Sequence, residues 1–113
     1  MKPCYALLSN GQYVNLRHGT ALLVRKRPNG CHVVIRIRGQ VFSLYHWSAY
    51  PEPFTGGETS GESGNEAAAQ EMLSRIMLYL AASEVASDWD GIIDMDDLAA
   101  DVVADLGLEK VVS

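Results

Sequence analysis

The sequence predicts an α+β fold: a small antiparallel β-meander of about five strands over residues 4–47, followed by two α-helices packed on one face of the sheet. Three observations carry this. Short apolar runs in the first half are separated by three tight-turn signals, a Gly/Pro/Ser stretch interrupts the chain, and two runs with helical spacing follow it. A length of 113 residues with 48% hydrophobic fits a single domain. That domain divides into a basic β-sheet region (4–47), a mobile loop (48–64) and an acidic helical region (65–108).

The turns define the strands. Asn10-Gly11 suits a two-residue type I′ turn, pairing Cys4 to Ser9 with Gln12 to Arg17 and placing Tyr5, Leu7, Val14 and Leu16 on one face. Pro28-Asn29-Gly30 joins 21–27 to 31–38, and Gly39-Gln40 forms the third turn. With that register, Ala21, Leu23, Val33, Ile35, Ile37, Phe42 and Leu44 make an apolar core face. The opposite face collects Leu22, Val24, Lys26, His32, Val34, Arg36, Arg38, Ser43, Tyr45 and Trp47.

Residues 51–64 hold four glycines, two prolines and four hydroxyl residues, the composition of a tether or mobile loop. They lead into Ser63-Gly64-Asn65-Glu66, a capping box that opens a helix. Ala69, Met72, Leu73, Ile76 and Leu80 recur at helical spacing, and the run from Ile76 to Ala82 is apolar all round, which predicts deep burial of that half. Asp94 caps the second helix, whose stripe of Met95, Leu98, Ala99, Val102, Val103 and Leu106 ends at Gly107 with Leu108 beyond it.

Charge is segregated along the chain. Residues 1–51 hold seven Lys or Arg and no acidic residue, whereas residues 52–113 hold all 14 acidic residues against Arg75 and Lys110, for a net charge of −5. Such asymmetry implies that the halves neutralise one another, within the chain or across a homodimer, or that one of them meets an oppositely charged partner. The leading candidate site is acidic: Asp97, Asp101 and Asp105 form an i, i+4, i+8 line on the second helix with Asp96 beside it, a ladder able to engage a basic protein surface. Like charges at that spacing cost a few tenths of a kcal/mol each. The alternative is the basic, aromatic sheet face, where Lys26, His32, Arg36, Arg38, Tyr45 and Trp47 combine cations with rings as a single-stranded nucleic-acid platform does.

Residues 86–97 resemble part of an EF-hand calcium loop. Aligned on Gly91 as the sharp-turn glycine, Asp88, Asp90, Asp94 and Asp97 fall on ligand positions and Ile93 on the hydrophobic eighth. The first position is Ala86 and the twelfth is Asp97 in place of a longer Glu, so the oxygen set is short and no metal is assigned.

Nothing in the chain matches a catalytic motif. All three histidines and both cysteines lie in the basic half and every carboxylate in the other, so a catalytic cluster would have to span the two; neighbouring Cys31 and His32 point to opposite faces of a strand. No apolar run approaches the roughly 18 residues of a membrane helix, and no export signal precedes the first strand. Cys4 and Cys31 are therefore read as buried thiols of a cytoplasmic protein. The reading is a small non-enzymatic interaction module without a cofactor, its acidic helical face engaging a basic protein, as an inhibitor or modulator of a nucleic-acid-handling protein.

Overall fold

A computed structural model describes residues 4–28, 30–47, 64–83 and 90–107. The fold is α+β. Its elements in chain order are β1 (Tyr5–Leu7), β2 (Tyr13–Asn15), a 3-10 turn (Leu16–His18), β3 (Ala21–Arg27), β4 (Gly30–Ile37), β5 (Gln40–Trp47), α1 (Gly64–Ala82), β6 (Ile92–Asp94) and α2 (Met95–Leu106). Strands β3, β4 and β5 form an antiparallel meander, while β2, β1 and β6 form a second sheet in which β6 runs parallel to β1.

The meander keeps the expected strands but shifts two registers. Arg27 pairs with Gly30, so the β3–β4 loop is two residues long, and Leu22 and Val24 stand opposite Ile35 and Val33. The one-residue change turns every β3 side chain over. Leu22, Val24 and Lys26 thereby face α1 in place of Ala21 and Leu23. The β4–β5 turn is Arg38-Gly39, both at positive φ (52° and 82°), and Ile37 pairs with Gln40. Farther along, Ser43 stands opposite Val34 and Tyr45 opposite Val33, which leaves Leu44 as the extra residue of a β-bulge. Beyond it, Tyr45 and Trp47 sit on the core side.

The first hairpin is also offset by one residue. Leu7 pairs with Tyr13, Leu8 N–H donates to Gln12 O at 2.8 Å, and Gly11 takes φ 88° at the end of a three-residue loop. Tyr5 therefore shares its face with Tyr13, the rings meeting edge to face at 6.5 Å, and Leu16 leaves the strand for the 3-10 turn.

Helix α1 lies along the meander and α2 packs on α1 and β6. One core joins both sheets: Cys4, Ala6, Val33, Ile35, Trp47, Met72, Ile76, Met95 and Val102 are buried together. The α2 stripe is as expected, with Met95, Leu98, Ala99 and Val102 buried and Val103 and Leu106 half-buried. The second half of α1 is not. Ile76 is buried, but Met77, Leu78 and Tyr79 are 56%, 69% and 39% exposed. A helix that is apolar all round needs cover on every side, and the described elements flank only two sides of α1.

Residues 48–63 of the expected loop, the capping residue Ser63 among them, lie outside the described residues, and Gly64 opens α1. Glu66 of that capping box pairs with Lys26 at 3.3 Å, fixing the start of α1 over the end of β3. At its other end, Arg17 donates to Leu80 O at 3.2 Å and to Ser83 Oγ, supplying the cation that the last turn of α1 lacks.

Candidate protein interface

Helix α2 begins at Asp94, whose Oδ1 accepts from the amides of Asp96 (3.0 Å) and Asp97 (3.2 Å). It ends at Gly107, left-handed at φ 66°. Between these caps, 3.6 residues per turn bring Asp97, Asp101 and Asp105 to one side.

The four predicted acidic residues divide into two pairs. Asp96 accepts from Ser9 Oγ at 2.6 Å, which ties α2 to the β1–β2 loop. Asp105 accepts from Arg75 of α1 at 2.6 Å, and the same guanidinium donates to Glu71 at 2.8 Å. Glu71 and then Asp105 hold Arg75 still more firmly protonated than an ordinary arginine. Asp97 and Asp101 are exposed and have no ion-pair partner among the described residues.

The seam between the helices explains the division. Arg75 and Tyr79 are four residues apart and face the same way; Arg75 meets Asp105, while Tyr79 lines a hollow of about 190 Å³ with Ile92, Leu98, Asp97 and Asp101. The helices thus run antiparallel, with a cation answering the last carboxylate of the ladder and a phenol standing where a cation could answer the other two. On the far side of α1, Met77 and Leu80 border an apolar hollow of about 350 Å³ with Leu16, Leu22 and Ile35. Leu78 crowns the ridge between the hollows.

The alternative basic, aromatic site is not assembled as a single face. Lys26 points toward α1 and its partner Glu66, Arg38 lies in a turn, Tyr45 is half-buried on the core side, and Trp47 is fully buried there. His32 and Arg36 remain on the outer face, joined by Arg25 from β3 and His46 from β5. The bulge at Leu44 brings His46 to that face, opposite His32. The imidazoles of His32 and His46 stack at 4.0 Å with planes 1° apart, and His32 Nδ1 lies 3.0 Å from Ser43 Oγ. Burial, then His46, Arg27 and Arg25, lower the His32 pKa below its ordinary value.

Of the calcium-loop carboxylates, Asp88 lies outside the described residues. Asp90 Oδ1 accepts from the Ile92 amide at 3.1 Å and Asp94 caps α2, so both serve backbone turns. Residues 92–94, which the EF-hand alignment treats as loop, form β6 beside β1. No three His, Cys, Asp or Glu residues converge into a metal-binding group among the described residues. Cys4 and Cys31 are free and buried, and burial pushes both thiols up, away from the reactive thiolate. No helix among the described residues is long and apolar enough to cross a membrane.

Sequence reasoning found the ladder but missed Tyr79 and Leu78 as surface residues. The only signal available was the all-round apolarity of 76–82, which reads as burial.

Compared with known proteins, the chain matches no family model, no curated protein and no solved structure.

Proposed function

We propose that this protein is a small non-enzymatic interaction module whose acidic α2 face engages a basic protein partner. One observation carries the reading: Tyr79, 39% exposed, lines a hollow with Asp97 and Asp101, and its neighbour in α1, Leu78, is 69% exposed. Apolar side chains gathered at a surface rimmed by charge are characteristic of protein-binding sites. The carboxylates supply the electrostatic preference and the ridge supplies apolar area to bury. Asp96 and Asp105 support this surface by anchoring α2 to the β1–β2 loop and to α1. A cytoplasmic setting, consistent with two unpaired thiols, and a role in restraining a nucleic-acid-handling protein complete the proposal, since the charge on such a partner would match a carboxylate ladder.

The experiment is affinity capture by the immobilised full chain from host lysate, with and without nuclease, comparing wild type with the D97N/D101N double variant. The reading expects a basic protein retained after nuclease treatment and lost from the double variant. Recovery that depends on nucleic acid, and that R36A abolishes while D97N/D101N does not, would transfer the function to the outer sheet face.

A further inference from the structure

We infer that the seam between α1 and α2 takes a basic amphipathic helix, whose cations meet Asp97 and Asp101, the two carboxylates of the ladder with no ion-pair partner among the described residues. This inference rests on the proposed acidic-face reading and specifies the form of the partner.

Along the antiparallel seam the structure makes one cation–carboxylate contact that, among the described residues, the next turn does not repeat. At position 75 of α1 an arginine reaches Asp105 at 2.6 Å; one turn later the equivalent position is Tyr79, which lines a hollow with Asp97 and Asp101. Those two carboxylates are one α-helical turn apart, about 6 Å along the axis. A helix lying beside α2 presents Lys or Arg at i and i+4 with that same rise, so two cations meet two carboxylates without distortion. The apolar side of such a helix would rest on Tyr79 and Leu78, the latter 69% exposed. The hollow is lined by Ile92, Ile93 and Leu98 together with Asp94, Asp97 and Asp101, and in helix-in-groove recognition apolar anchors at i, i+3, i+4 and i+7 fill the groove while charge fixes the register. Charge complementarity selects the occupant: an acidic helix would be repelled by Asp97 and Asp101, and a wholly polar basic chain would leave the ridge uncovered.

The test uses synthetic peptides of about 18 residues, long enough to be helical when bound, titrated into the full chain and followed by amide chemical shifts. One peptide carries Lys at i and i+4 beside a Leu stripe, a second is a scrambled isomer of identical composition, and a third replaces each Lys by Glu. The inference expects the patterned peptide to bind, with shifts centred on residues 76–80 and 94–101, and both other peptides to bind at least roughly tenfold more weakly. It expects Y79S and D97N/D101N each to weaken the patterned peptide by a comparable factor while leaving the spectrum folded. Equal binding of patterned and scrambled peptides would overturn the amphipathic-helix inference and leave the acidic-face reading intact, as would no peptide binding combined with lysate capture that D97N/D101N abolishes. Preference for the Glu peptide would overturn both.

Discussion

Arg75 of α1 donates to Asp105 of α2 at 2.6 Å, and this contact decides which part of the carboxylate ladder belongs to the fold. The ladder is not uniform: one end is answered within the chain and the other faces outward. Because the pair is partly exposed, with Asp105 at 60%, replacing Asp105 by Asn should cost about 0.2–1 kcal/mol in denaturant unfolding. The same substitution should leave partner capture essentially intact, whereas D97N/D101N should do the reverse. Loss of capture in D105N with stability unchanged would contradict this division.

The exposed ridge makes a second prediction. Leu78→Ser removes an apolar side chain that contributes little to the core, so the melting transition should move by no more than about 0.5 kcal/mol in stability. Partner binding should weaken. A large loss of stability would show that Leu78 is covered in solution.

Gly19 abuts the centre of the core. A Cβ there would lie 2.4 Å from Cδ1 and 2.7 Å from Cγ1 of the fully buried Ile35. Gly19→Ala should therefore destabilise by about 1–3 kcal/mol through overpacking. Ile35→Val alone should cost about 0.5–1.5 kcal/mol. Together they should cost less than the sum, because the smaller side chain relieves the clash; additive costs from chemical denaturation would contradict the contact.

Arg38 occupies the left-handed region at φ 52° in the first position of the β4–β5 turn. Asn tolerates that conformation better, so Arg38→Asn should stabilise the protein by up to about 1 kcal/mol. A destabilised R38N variant would argue for the alternative Gly39-Gln40 turn.

The stacked histidines couple stability to pH. The His32 pKa lies below the ordinary 6.5 because burial, His46, Arg27 and Arg25 all oppose its charge. A base whose folded pKa is lowered binds fewer protons folded than unfolded, so its contribution is intact above 6.5 and declines as pH falls from there toward the folded pKa. Melting temperature should fall between pH 7 and 5, and His32→Gln should flatten that dependence. An unchanged slope in H32Q would remove the stack as its cause.

Much of this architecture is written in the sequence, and what is missing has local causes. The α2 stripe and its Asp94 cap depend on near-neighbour spacing, which sequence carries directly. The sheet faces depend on single-residue differences in loop length: Pro28-Asn29-Gly30 accommodates a two- or three-residue loop, and one residue reverses every side chain of β3. The bulge at Leu44 has no sequence mark at all, yet it alone carries Trp47 to the core and His46 to the outer face. Strand β6 is three residues long and forms only because β1 offers a parallel edge, a long-range event invisible to local pattern. For the candidate site, Asp97 and Asp101 were legible as helix periodicity. Their distinction from Asp96 and Asp105 was not, because Ser9 and Arg75 are distant in sequence.

The central claim is that the partner contacts the acidic seam, and hydrogen–deuterium exchange of the full chain with and without the captured partner tests it most directly. Protection at residues 76–80 and 94–101, with the Arg25, His32 and Arg36 strands unchanged, is the predicted result. Protection confined to the outer face of β3 and β4, with α2 unaffected, would contradict the account and assign binding to the basic sheet.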